Sequence, residues 1–73
     1  MSELKFEVVE KCGVIGEASS GWTKELRIIK WDGRKAKYDI REWAPEDRKC
    51  SRGITLSDEE IQSLYEILKN RLS

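Results

Sequence analysis

Three tryptophans, Trp22, Trp31 and Trp43, all fall between residues 21 and 52, interleaved with ten lysines and arginines. That stretch holds only six acidic groups, an excess of +4 inside a chain of zero net charge. The flanks run the other way, since residues 1–20 and 53–73 each carry two basic and four acidic groups. Rings set among cations suit single-stranded nucleic acid. An indole face can stack on a base for roughly 1–3 kcal/mol while the cations follow the phosphates, and a duplex hides those base faces. The competing reading is that strands simply have charged outer faces, with Trp22 and Trp31 plugging a sheet edge or a dimer seam.

Catalytic chemistry finds little support. The 73 residues include no histidine, and Cys12 and Cys50 are too far apart for a CxxC pair, so neither a common general base nor a usual zinc site is offered. Reduced thiols are expected. Asp39 and Glu42 fall on opposite faces of one strand, and the scattered glycines match no phosphate-binding loop. No enzyme activity, metal, cofactor or small-molecule substrate is therefore expected. No apolar run approaches the ~20 residues of a membrane span, nor is there a signal-peptide core, so no membrane association is expected and the cytoplasm is the expected address.

The elements that must position these side chains read as follows. Leu4-Lys5-Phe6-Glu7-Val8 alternates apolar and polar residues as a half-buried strand does, continuing through Val14-Ile15 with Gly13 and Gly16 at bends or bulges. Ala18 to Gly21 is a turn by composition. A second strand spans Trp22 to Trp31, and Asp32-Gly33 is a hairpin signal, because glycine tolerates the positive φ of a tight primed turn. A third strand runs from Lys37 to Trp43, and Pro45 breaks it. A basic loop, Arg48 to Gly53, leads to a short strand at Ile54-Thr55-Leu56. Ser57 and Glu60 then have capping-box spacing, and Ile61, Leu64, Tyr65, Leu68 and Leu72 form one helical stripe, read as core. Ile67 lies off that stripe by about 120°. The result is a single α+β domain over 1–73, in the order β-β-β-β-α.

Side chains alternate across a strand, so parity assigns faces. Tyr38 and Ile40 share an apolar face, read as inward. Lys37, Asp39, Arg41 and Trp43 share the other, read as outward because burying its charges would strand them. In the second strand neither face is cleanly apolar. One helix of about 22 Å cannot cover a four-stranded sheet, which leaves apolar surface for a second copy of the chain.

The stretch Lys37-Tyr38-Asp39-Ile40-Arg41-Glu42-Trp43-Ala44-Pro45, followed by Arg52-Gly53-Ile54-Thr55-Leu56-Ser57 and the helix, resembles the positive-cofactor-four type transcriptional coactivator family. Gly21-Trp22-Thr23-Lys24-Glu25-Leu26 and Trp31 fit its short bacterial, YdbC-like branch, and the likeness covers nearly the whole chain. The resemblance implies a four-stranded antiparallel curved β-sheet and a C-terminal helix, assembled as a homodimer that binds single-stranded DNA in channels across its sheets. It implies base stacking by Trp31, just before the hairpin turn, and by Trp43, where the family often has an aromatic pair. It also implies backbone contact by Arg41 and basic support from Lys24, Arg34 and Lys35. The serine-rich tail of eukaryotic members is absent, so coactivator activity is not carried over.

Together these readings give an expected nucleic-acid-binding set of Trp22, Lys24, Arg27, Trp31, Arg34, Lys35, Lys37, Arg41, Trp43 and Arg52. Leu64, Ile67 and Leu68 are the expected dimer interface. The expected function is sequence-tolerant single-stranded DNA binding in transcription or DNA maintenance, with RNA as a second candidate ligand and nucleoid association as its cellular form in a bacterium. A protein-interaction domain that uses its Trp-rich face is the alternative.

Overall fold

A computed structural model describes residues 5–73. It contains β1 (Phe6–Glu17), β2 (Thr23–Trp31), β3 (Lys37–Trp43), a one-turn 3-10 segment (Pro45–Asp47), β4 (Ile54–Leu56) and α1 (Asp58–Leu72). The four strands form one antiparallel sheet in chain order, with the helix following. The expected order of elements is thus the observed one. Trp22 stands just outside β2, and Leu4 lies outside the described residues.

Twelve residues of β1 face nine of β2, and the difference is absorbed by register shifts between Val8 and Glu10, Lys11 and Gly13, and Val14 and Gly16. Each shift leaves an extra residue on β1, and such bulges bend a strand and increase its twist. Two of the three end on the glycines singled out as bend points. The β2–β3 connection contains the expected tight turn: Asp32 and Gly33 both have positive φ (47° and 73°), and Arg34 N–H donates to Trp31 O at 2.8 Å. Regular pairing begins only at Ile29–Lys37, so the turn is spliced to the ladder through an irregular stretch rather than closing it directly.

The sheet curls strongly toward one face. Phe6 pairs with Trp31 and Trp43 pairs with Thr23, at opposite ends of β2. A flat β2 would separate those ends by about 26 Å, yet the Phe6 and Trp43 rings lie 5.8 Å apart between centroids. Curling closes this face on itself, and the side chains buried there are Ile29, Trp43, Arg27 and Asp39. The outward assignment of Asp39 and Trp43 from parity is therefore overturned, while Tyr38 and Ile40 are half-buried on the helix side as expected. The grouping of Asp39, Arg41 and Trp43 is right, but their face holds the buried core of the chain.

The other face carries Leu26, Ile28, Tyr38 and Ile40, and α1 leans on it chiefly through β3 and β4. The helix starts as its sequence dictates. Ser57 Oγ accepts from Glu60 N–H, and Glu60 Oε1 accepts from Ser57 N–H at 2.8 Å, the two halves of a capping box. Its apolar stripe is not core within the chain, however. No α1 residue is buried, and Tyr65, Ile67, Leu68 and Leu72 are all exposed. An open apolar cleft of about 300 Å³ runs between Ile15, Leu26 and Ile40 on the sheet and Ile61, Leu64, Tyr65 and Leu68 on the helix.

Candidate nucleic-acid interface

Two arginine–tryptophan pairs lie on the curled face, their indoles rooted at opposite ends of β2, Trp31 at the open hairpin end and Trp43 at the closed one. At the open end Arg41 places its guanidinium carbon 4.7 Å from the Trp31 ring centre. Asp39, fully buried, fixes that guanidinium with two acceptors, at 2.5 Å from Nε and 2.7 Å from Nη2. The remaining Asp39 contact is a hydrogen bond of 3.1 Å from Thr55 Oγ1 on β4, and Arg41 Nη1 donates to Ser51 O at 3.3 Å. Gly53 permits this approach, since a Cβ there would run into the Arg41 side chain and the Ile40 carbonyl. Arg41 stays partly open to solvent and Trp31 is half-buried. Both line a cleft of about 340 Å³ with Asp32, Arg34 and Thr55.

At the closed end Arg27 sits 3.9 Å over the Trp43 ring, and both residues are only 1% exposed. Arg27 donates to both Asp47 carboxylate oxygens at 3.0 Å and, through Nε, to Glu25 at 2.9 Å. Asp47 adopts a left-handed φ of 58° to reach it, a conformation that aspartate tolerates better than most residues. The Arg27 guanidinium, donating hydrogen bonds, holds both Glu25 and Asp47 below the ordinary carboxylate range. Lys11 adds a weak ion pair with Asp47 at 3.7 Å. A guanidinium so enclosed has no free edge for a phosphate. The indole N–H groups of Trp31 and Trp43 are also buried, with no protein acceptor among the described residues, a cost of order 1–3 kcal/mol each.

The structure sorts the expected binding set. Trp31, Arg34 and Arg41 come together at the open end. Arg52 is exposed and follows Ser51, whose carbonyl accepts from Arg41, and Lys37 begins β3 on the same face, neither of them lining the Trp31 cleft. Lys35 and Lys37 edge a separate cleft against Ser57, Asp58 and Glu59 at the start of α1. Lys24 is exposed on the opposite face, across from Glu42, and Trp22 lies beyond the far end of β2. Arg27 and Trp43 are present on the face but enclosed. Expected to point outward, Trp43 is instead covered by Arg27 on its ring and by Phe6 at its side.

Residues outside the expected set complete the arrangement. Asp39, Glu25 and Asp47 clamp the arginines, and an i, i+2 acid–arginine spacing on a strand (Glu25/Arg27, Asp39/Arg41) was the available signal, because such residues share a face. Phe6 is the other. Its ring lies 5.4 Å from Trp31, tilted by 42°, and it is 43% exposed. Its place in the apolar alternation of β1 reads as core, which concealed it.

A sequence model of the family described as Transcriptional Coactivator p15 (PC4) matches residues 18–67. An uncharacterized protein of Treponema pallidum (strain Nichols) is 38% identical over 68 residues, covering 93% of this chain and 80% of the relative.

Proposed function

The chain belongs to the PC4-type transcriptional coactivator family, and from that premise we propose that it binds single-stranded DNA without sequence preference, on the open end of the curled sheet face. The observation that carries this reading is the group of Trp31, Arg34 and Arg41 around one solvent-open cleft. Trp31 supplies a ring against which a base can stack. Arg41, its planar head held by Asp39, presents a fixed donor toward the phosphate track, and Arg34, Lys37 and Arg52 extend the positive border. Arg27 and Trp43 build the floor that holds this face in its curled shape. RNA is the second ligand to compare, since stacking and phosphate contact do not themselves distinguish the sugars.

The working form in this proposal is a homodimer. The chain exposes 5994 Å², against roughly 4,700 Å² for a compact monomer of its mass. Its radius of gyration is 13.4 Å, against about 11 Å for a compact chain of this length. A second copy docking against the apolar cleft would cover Leu64 and Leu68, which line it, whereas exposed Ile67 lies outside that lining and would need the contact to extend around the helix. That difference in exposed area is in the range a stable interface needs. No described helix is long and apolar enough to cross a membrane, so these exposed residues are not read as a span.

Titration with a thymine oligonucleotide at several salt concentrations tests the reading, with light scattering on the same samples. Binding that weakens steeply with salt, at a mass twice 8.5 kDa, is the expected result. Salt-insensitive binding or none, with capture of a protein partner by the Trp-bearing face, would favour the protein-interaction alternative.

A further inference from the structure

We propose that Phe6 is a second base-stacking platform, continuous with Trp31, so that the single strand passes onto β1 rather than staying on β2 and β3. The inference rests on the single-strand reading above and adds a residue and a direction to it.

Three observations carry it. Phe6 is opposite Trp31 in the β1–β2 ladder, so the two side chains share the curled face. Their ring centres lie 5.4 Å apart, a separation from which two adjacent nucleotides can each engage one ring. Phe6 keeps 43% of its surface in solvent, while the deeper Trp43 keeps 1%. A phenylalanine present only to pack against two tryptophans would gain from being covered.

The position is also held rather than frayed. Asp32 N–H donates to Lys5 O at 2.7 Å, and Lys5 N–H donates to Asp32 Oδ1 at 3.2 Å. The backbone next to Phe6 is thereby pinned to the turn that follows Trp31. Lys5, Glu7 and Lys30 line a shallow cleft at this edge with Phe6 and Gly33, although Glu7 and Lys30, paired with each other, belong to the reverse face by alternation.

The test uses the full chain and three variants, Phe6→Leu, Phe6→Tyr and Phe6→Ala, titrated with a thymine oligonucleotide. Leucine keeps apolar packing against Trp31 and Trp43 but removes the aromatic face, whereas tyrosine keeps that face. Phe6→Leu should weaken binding at least about fivefold and Phe6→Ala about tenfold or more, while Phe6→Tyr binds like the parent. The salt slope should stay the same in all three, because no phosphate contact is lost. Near-ultraviolet circular dichroism of Phe6→Leu reports whether the tryptophan packing persists, so loss of folding in Phe6→Ala alone does not decide the matter. Parent-like affinity in Phe6→Leu, or equal losses in the leucine and tyrosine variants, would overturn the platform role. Failure of the parent itself to bind would instead overturn the single-strand reading on which the proposal stands.

Discussion

Arg27 with Trp43 and Arg41 with Trp31 are the same chemical device built twice on one sheet face. Each has a guanidinium over an indole, with an acidic residue two positions earlier on the same strand accepting from it. They differ in enclosure. Arg27 is 1% exposed and has a second carboxylate from the 3-10 turn closing over it, whereas the Arg41 side chain retains 13% exposure and its second acceptor is a lone carbonyl. The lesson is that aromatic–cation clustering does not specify function. At the closed end it is core, and at the open end it is available to a ligand.

The sharpest way to break this contrast is to delete one partner from each pair. Arg27→Ala should destabilise the fold by about 3–5 kcal/mol, because it empties the fully buried space over the Trp43 ring and breaks the fork to Glu25 and Asp47. Trp43→Ala should cost a similar amount by opening a cavity. Chemical denaturation would check both, and a midpoint close to the parent's in either variant would show that the closed end is not core.

Trp31→Ala is expected to leave the fold largely in place and to cost roughly 1–3 kcal/mol in single-strand binding. Parent-like affinity by fluorescence anisotropy with a labelled oligonucleotide would move the stacking surface elsewhere. Arg41→Ala, combined with Asp39→Asn so that no fully buried carboxylate is stranded, should weaken thymine, cytosine and mixed strands by similar factors. It should also make the salt slope shallower by about 0.7, the value for one phosphate on a single strand. A loss confined to one base composition would indicate base readout, and an unchanged slope would show that Asp39 already satisfies the cation.

The smallest expected effect is that of acid. Glu25 and Asp47 titrate below their unfolded values because Arg27 donates to them. Their contribution is therefore present above the unfolded carboxylate range and is lost as pH falls through the lowered folded values. Both carboxylates are partly open to solvent, so the loss should be modest. Thermal melts across the acid range should show a decline that Arg27→Lys, with its point charge in place of the fork, makes shallower.

Most of the fold was legible because its signals are local. Gly13 and Gly16 marked two bulges, Asp32-Gly33 the turn, Pro45 the break, and Ser57 with Glu60 the helix start. The burial of the two faces was not legible. Parity correctly grouped Asp39, Arg41 and Trp43, but a charged face was read as solvated when curling and mutual pairing had enclosed it. Curvature arises from bulges acting over the whole length of β1, a long-range effect that no single strand records. The helix stripe misled in the opposite direction, since periodicity says which side chains share a face and not what covers that face. Of the site, Trp31, Arg34 and Arg41 were recoverable from composition and resemblance. Trp22 was grouped with them through the clustering of tryptophans and cations and Lys24 through the resemblance; the structure puts Trp22 beyond one end of β2 and Lys24 on the reverse face.

The most direct test of the account follows the three indole N–H resonances during titration with a thymine single strand and with a duplex of equal length. The single strand should shift the Trp31 signal most, leave Trp43 closest to its free position and saturate, while the duplex produces little change. A dominant shift at Trp43 or Trp22 with Trp31 unmoved, or equal responses to duplex and single strand, would contradict the assignment of the open end as a single-strand site.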